Sequence, residues 1–367
     1  MRQDEKIARL RLIRSTNIGP VTSFLLISRY GSAIEAIQAL PELMKRSRTR
    51  AKLASIKSVE KEFRQVESLG GQILVRGEEK YPPAFNAYDD APGAITILGH
   101  AALLQKPLIA MVGSRNASVN ACRFASDLAY DLGGYGYVIV SGMARGIDRH
   151  AHEGGLEYGT VAVLAGGVDQ IYPRENNNLY HRLAEEGAII SEMPLGLQPM
   201  ARHFPIRNRL IASLGVATIV VEAGLKSGSL ITAREANERG REVMAVPGSP
   251  RDPRAQGCNS LIRDGATLVQ NAADVTEAVR TPELGDPGYQ KWRLGPSVNE
   301  PVEEDVLPEA REILLEMLGY DATEVDELIR QCHFSPAVVI VALLELELAG
   351  KITRHFGNRV SRRYDDD

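Results

Sequence analysis

Phe204-Pro205-Ile206-Arg207-Asn208-Arg209-Leu210-Ile211, then Val216-Ala217-Thr218-Ile219-Val220-Val221-Glu222, then Lys226-Ser227-Gly228-Ser229-Leu230-Ile231-Thr232, follow one another along residues 204–232. The middle piece is uncharged before its final glutamate and mostly β-branched, the pattern of a buried strand. A helical segment with two arginines around an asparagine precedes it. A loop of Gly, Lys and Ser follows it and opens a helix whose first-turn N–H groups have no partner within the helix. Loops at the carboxyl ends of parallel strands, with helix N-termini in the same crevice, bind anions. The anion expected here is the phosphate backbone of a nucleic acid strand.

Working outward, Pro107-Leu108-Ile109-Ala110-Met111-Val112 opens a regular alternation of strand and helix. Further strands are expected at 137–141, 160–164, 188–191, 216–222 and 242–246, with helices between most of them. Such alternation predicts an α/β fold, a doubly wound, mostly parallel sheet covered on both faces with right-handed crossovers. Two strands precede it, at 72–75 and 94–98, separated by Tyr81-Pro82-Pro83. Residues 1–66 carry apolar residues at helical spacing and almost no strand signal. Asn17-Ile18-Gly19-Pro20 and Gly31 break those helices. The first break can offer backbone N–H groups to phosphate, or simply turn a packing module. Residues 45–52 are basic and read as a solvated loop or helix face. The Pro/Gly-rich, acidic stretch 281–305 reads as a linker. Beyond it come helices at 308–318, after Thr323 as N-cap, and at 335–349, then a hairpin in 351–360: a winged-helix pattern. The domains expected are therefore 1–68 (helical), 69–280 (α/β), 281–305 (linker) and 306–363 (winged helix).

A chain of 367 residues with 44% hydrophobic and 25% charged residues is a multidomain globular protein. No apolar stretch approaches membrane-spanning length, and the start lacks the apolar core of a secretory signal. Cys122, Cys258 and Cys332 are scattered, which argues against a disulfide framework or structural zinc and for a cytoplasmic setting. The net charge of −4 hides a segregation: residues 1–80 carry +7, 107–272 balance, 273–350 carry −12 and 351–367 carry +2.

Neither G-x-G-x-x-G nor a G-x-x-x-x-G-K-[ST] loop is present, so NAD and ATP chemistry are unsupported and no cofactor is expected. The strand-end loops instead repeat glycine with arginine: Gly113-Ser114-Arg115, with Ser118 placed to cap the next helix; Ser141-Gly142-Met143-Ala144-Arg145-Gly146-Ile147-Asp148; and Tyr172-Pro173-Arg174. Arg115, Arg145, Arg174, Arg207, Arg209 and Lys226 can neutralise a polyanion that glycines allow close to backbone N–H groups. Asp148, His150 and His152 offer too few ligands for a metal, and Asp148 is better suited to tying down its own glycine loop. Glu222 reads as a general base or as an orienter of Arg207 or Arg209. No nucleophile elbow occurs, so no catalytic residue is assigned. Tyr172 and Phe204 are the nearest stacking candidates.

Together, Val112-Gly113-Ser114-Arg115, residues 141–148, Phe204-Pro205-Ile206-Arg207-Asn208-Arg209, Ser227-Gly228-Ser229-Leu230-Ile231-Thr232-Ala233 and Ala245-Val246-Pro247-Gly248 resemble the DNA-processing protein A family (DprA, also called Smf). The likeness covers about residues 70–272. It implies an extended Rossmann-like domain that binds single-stranded DNA, pairs as a homodimer and helps load RecA recombinase in natural transformation. It also implies a sterile-alpha-motif-like N-terminal domain and an optional winged helix. By this resemblance Gly113, Ser114, Arg115, Arg145, Gly146, Arg207, Arg209 and Ser229 lie in or around the DNA pocket, with Arg174 where the family often has a basic residue. Ser118 and Lys226 complete the expected nucleic-acid-binding set. The third helix of the winged-helix pattern carries Glu345 and Glu347 and no Lys or Arg, so little sequence-specific duplex binding is expected of it. Only its wing is basic (Lys351, Arg354, Arg359, Arg362, Arg363). The alternative function is a phosphoribohydrolase-like Rossmann enzyme acting on nucleotide phosphates. Such enzymes share a Gly-Ser-Arg turn, but the P-G-G-x-G-T-x-x-E helix start that supplies their glutamate is missing. A transcription factor, resting on the winged helix alone, is disfavoured by its acidity.

Overall fold

The computed structural model describes residues 1–46, 52–279, 302, 304–355 and 357–363. The expected linker 281–305 and the basic stretch 45–52 fall largely outside the described residues, as does Phe356 of the hairpin.

Four helices come first: α1 (Gln3–Ile13), α2 (Pro20–Tyr30), α3 (Ala33–Arg46) and α4 (Ile56–Ser68). Pro20 occupies the first position of α2, where its missing N–H costs nothing, and Gly31 ends that helix with φ +83°. The sheet strands are β1 (Gln72–Val75), β2 (Ala94–Gly99), β3 (Leu108–Gly113), β4 (Val138–Ser141), β5 (Thr160–Val163), β6 (Ala188–Ser191), β7 (Gly215–Val221), β8 (Glu242–Ala245) and β9 (Thr267–Leu268). Their spatial order is β1-β2-β6-β5-β4-β3-β7-β8-β9. From β6 across to β9 every pairing is parallel, while β1 and β2 add an antiparallel margin beyond β6. Between the parallel strands run α5 (Val119–Gly134), α6 (Ile147–Gly155), α7 (Asn177–Glu186), α8 (His203–Leu214), α9 (Ser229–Glu238) and α10 (Gln256–Arg263), and α11 (Ala272–Ala278) follows β9.

The central strand β3 shows why the sheet is covered on both faces. Leu108, Ala110 and Val112 enter one apolar cluster with Leu210, Ile211 and Leu214 of α8. Ile109 and Met111 point the other way, among Ala125, Leu128 and Leu132 of α5 and Ile147 and Ala151 of α6. Period-two alternation between two apolar layers requires a continuous apolar run, and that is what 107–112 contains.

The C-terminal domain holds α12 (Leu307–Met317), β10 (Thr323–Glu324), α13 (Val325–Gln331), α14 (Pro336–Leu348), β11 (Ile352–His355) and β12 (Arg359–Arg362). The three short strands pair in the order β10-β12-β11, giving a winged helix. Thr323 is not the N-cap of the second helix. It sits in β10 opposite Val360, and α13 begins after Glu324 without a side-chain cap. β9 and β10 carry no expectation from the sequence, because two residues are too few to show a period.

Candidate nucleic-acid interface

The sheet order places the turn of connectivity at β3. Strands β4, β5 and β6 are added on one side, and β7, β8 and β9 on the other. The crevice between the carboxyl ends of β3 and β7 is the default ligand position of such a sheet. Here it is stitched closed. Gly113 ends β3 against Val221 and Ile147. Ser114 N donates to Glu222 O at 2.8 Å, and the Glu222 carboxylate accepts from Ser118 N (2.8 Å) and Ser118 Oγ (2.6 Å). Ser118 caps α5 as expected, its Oγ accepting from Ala121 N. Glu222 therefore neither orients Arg207 or Arg209 nor stands free as a base. It holds the two loops together from a left-handed backbone position, φ +54°.

The open cavity lies one strand over, above β4 and β5, with a volume of about 470 Å³. Its wall includes Arg115 from the β3 loop, Ala144 and Arg145 from the β4 loop, Gln170, Tyr172 and Arg174 from the β5 loop, and Phe204 and Arg207 from α8. Arg115, Arg145 and Arg174 are exposed. Arg145 meets Glu175 at 3.8 Å, an exposed contact worth little. The Tyr172 and Phe204 rings lie 5.7 Å apart at 59°, and the Arg115 guanidinium lies 5.3 Å from the centre of Phe204. Tyr172 is 47% exposed at the mouth. Cations and aromatic rings thus line one opening.

Arg207 lines this cavity but is committed to the protein. It is 5% exposed, and its Nη1 donates to Gly142 O (2.5 Å) and Val163 O (2.6 Å). Burial lowers its pKa to about 10, so it remains charged at neutral pH. A side chain at Gly142 would put its Cβ 2.6 Å from the Arg207 Cζ, so the guanidinium fits only against glycine. From the other side the buried Asp148 carboxylate accepts from Gly142 N (3.1 Å) and Ala144 N (3.3 Å). Gly142 is thus held at its N–H by Asp148 and at its C=O by Arg207. Burial raises the Asp148 pKa, and Arg207 opposes that rise. Gly146, at φ +72°, brings its backbone onto the carbonyls of Ser114 and Arg115; an added Cβ would sit 2.3 Å from Ser114 O. Asp148 does tie down its glycine loop.

The remaining expected residues are dispersed. Arg209, 4% exposed, points away from the cavity into an ion pair with Glu192 and a hydrogen bond to Asp90 O. Arg14 of α1 donates to Glu192 O (3.0 Å) and pairs with Glu62 (2.8 Å), so this network joins the helical domain to the sheet domain. Lys226 is exposed on the β7 loop and Ser229 begins α9 with its Oγ on Ser227 Oγ (2.7 Å), both outside the cavity wall. His152 Nδ1 donates to Thr160 Oγ1, which itself donates to Ile139 O, while His150 Nδ1 lies on Gly146 O. Among the described residues no group of three His, Cys, Asp or Glu could hold a metal. Gln170 and Pro199 in the wall were not singled out in the sequence. The 166–170 turn is bound to the 196–197 turn by Gly167 N to Leu197 O and Gly196 N to Asp169, a long-range pairing without a local signal.

A family model described as DNA recombination-mediator protein A matches residues 72–280. The chain belongs to this family. Its N-terminal helical domain (residues 3–64) and its winged-helix domain (299–358) match as well. Protein Smf of Escherichia coli is 37% identical over 312 residues, covering 84% of this chain and 82% of the relative. DNA processing protein DprA of Streptococcus pneumoniae is 41% identical over 59% of this chain and 75% of its own length. The solved structure of the Streptococcus pneumoniae DprA superposes with a TM-score of 0.57 at 37% identity, over 61% of this chain and 78% of that one. A Helicobacter pylori DprA structure, described by its single-stranded DNA binding mode, gives 0.53 at 30% identity over 57% and 95%. No helix among the described residues is long and apolar enough to cross a membrane.

Proposed function

We propose that the chain binds single-stranded DNA across the cavity above β4 and β5, protects it, and hands it to RecA recombinase in natural transformation, as a cytoplasmic homodimer without catalysis. The observation that carries this reading is the ring of exposed Arg115, Arg145 and Arg174, from three strand-end loops, around the Tyr172–Phe204 pair. Guanidinium groups neutralise phosphates, and aromatic faces stack on splayed bases of any sequence, the combination single-strand binders use. The binding mode of the Helicobacter pylori relative supports the same ligand class. The non-catalytic reading draws on the carboxylates. Glu222 is consumed by Ser118, Asp148 by its own loop, Asp169 by Gly196, and Glu175 faces Arg145.

Fluorescence anisotropy with labelled oligo-dT over a range of salt tests the proposal. Three arginine contacts predict a slope of about −2 in log affinity against log salt, ~0.7 for each phosphate. Replacing Arg115, Arg145 and Arg174 together by alanine should flatten that slope and weaken binding at least tenfold with folding intact. Unchanged affinity in the triple variant would place the strand elsewhere. Multiple-turnover release of base from a nucleoside monophosphate would overturn the non-catalytic reading.

A further inference from the structure

The third helix of a winged helix normally offers a polar face to a DNA groove. α14 has no such face. From Ala337 to Leu348 no residue is exposed. A helix apolar on all sides is one buried on all sides. One side, with Val339, Ala342, Leu343 and Leu346, belongs to the core of the winged-helix domain itself. The other side is Ile340, Leu344 and Leu348, at i, i+4 and i+8. Leu344 and Leu348 sit in the core of the N-terminal helical domain, with Leu12 of α1, Leu25 and Leu26 of α2, and Ala36 and Leu40 of α3, and half-buried Ile340 packs against it. Leu344 is 1% and Leu348 0% exposed.

A side-chain hydrogen bond crosses the seam. The Glu347 carboxylate accepts from Thr22 Oγ1 in the first turn of α2 and pairs with Arg354 of β11 at 2.7 Å. Gly350 lies over the Asn17 amide of the hairpin between α1 and α2, where an added Cβ would stand 3.3 Å from its Nδ2. Glu345, nearly fully buried, is paired with Arg311 of α12 at 2.7 Å, inside the winged-helix domain. Both acidic residues of the third helix, which the sequence singled out as unsuited to DNA, are thus spent on protein contacts. Arg354, one of the wing's basic residues, is spent with them.

We propose that α14 is a docking helix whose partner is the N-terminal helical domain of the same chain. The winged-helix domain acts as a clasp joining the two ends of the chain, and it does not read duplex DNA. Docking by Leu344 and Leu348 and groove insertion by α14 are mutually exclusive, because they use the same surface.

The test uses the full chain with a protease site placed between Pro287 and Pro296. After cleavage, the C-terminal piece should still co-elute with the rest on gel filtration. In the Leu344→Asp/Leu348→Asp variant it should leave as a separate, folded species by circular dichroism, and in Glu347→Ala it should leave more readily than in the parent. A milder check is amide exchange on uncleaved protein: Ile340→Asp should raise exchange at least tenfold in residues 17–26 as well as in α14. Separation of the pieces with native side chains, or retention in the double variant, overturns the proposal. So does a tenfold or greater gain in affinity for a 20-base-pair duplex when the clasp is opened, since α14 would then be a masked reader.

Discussion

Replacing Arg207 by methionine separates a residue that builds the cavity from one that grips its ligand. The change keeps an unbranched apolar stem of similar reach and removes the guanidinium. Gly142 O and Val163 O, hydrogen-bonded at 2.5 and 2.6 Å, lose their donor in a buried setting. Each orphaned acceptor costs about 1–3 kcal/mol. The buried Asp148 carboxylate also loses the cation that opposes its upward pKa shift, a further cost of the same sign. These terms act on one loop and overlap, so the expected net loss is about 3–5 kcal/mol rather than their sum. For a domain of this size that is a fall in Tm of roughly 6–20 °C.

The assay is urea or thermal unfolding followed by circular dichroism, without DNA, on wild type, Arg207→Met, Arg207→Lys and Arg115→Ala. Arg207→Lys retains a charge beside Asp148 and should recover part of the loss. Arg115→Ala should change stability by less than about 0.5 kcal/mol, since its side chain is exposed at the mouth. Single-strand affinity should fall in both Arg207→Met and Arg115→Ala, but only the first should unfold early. If Arg207→Met loses under about 1 kcal/mol while its affinity drops tenfold, the guanidinium holds phosphate directly and the reasoning from its carbonyl partners is wrong.

Further outcomes follow from neighbouring groups. Burial lowers the His152 pKa to about 3, so the folded state refuses a proton that the unfolded chain takes up below about 6.5; stability from this residue is complete above that pH and is lost on acidification, by about 2 kcal/mol at pH 5. His152→Gln should remove that component from a pH series of urea midpoints. Asp148 has the opposite sign: its raised pKa makes stability fall as pH rises through and above the ordinary carboxylate range, and Asp148→Asn should flatten that slope. Arg209→Ala should cost stability, by stranding Glu192, while leaving the salt dependence of oligo-dT binding unaltered, which parallel melting and anisotropy series would show. Phe204→Leu should cost about 1–3 kcal/mol of single-strand binding if a base stacks there, read from affinities at fixed salt.

Much of this fold is legible in the amino-acid sequence. The apolar run 107–112 and its successors announce a covered parallel sheet because both faces of β3 are filled, by Leu108, Ala110 and Val112 on one side and Ile109 and Met111 on the other. The glycine–arginine loops follow strand ends, so a parallel sheet must bring them to one edge, and topology does bring Arg115, Arg145 and Arg174 to one rim. What local pattern does not carry is the partner of a polar side chain. Nothing near Glu222 in the chain points to Ser118, 104 residues away, so the closing of the β3–β7 crevice, and the shift of the cavity to β4 and β5, emerge only from the fold. The same holds for Leu344 and Leu348: the apolar character of 336–348 is visible in the sequence, but the partners of these two leucines lie at the other end of the chain.

One distinction was available and depends only on helical geometry. Arg207 and Arg209 stand two residues apart on α8, about 200° around its axis at ~100° per residue. They therefore project to nearly opposite sides, and residues two apart do not face one another. A single cavity on one side of the helix can be lined by either arginine but not by both. The structure assigns the cavity side to Arg207 and gives Arg209 to Glu192 and Asp90, on the side where Arg14 arrives from the helical domain. Even Arg207 is turned inward on the backbone of Gly142 and Val163. An arginine count along the sequence therefore overstates the charge offered to a ligand. The positions that project freely are those in the loops, where no helix face has already claimed the side chain.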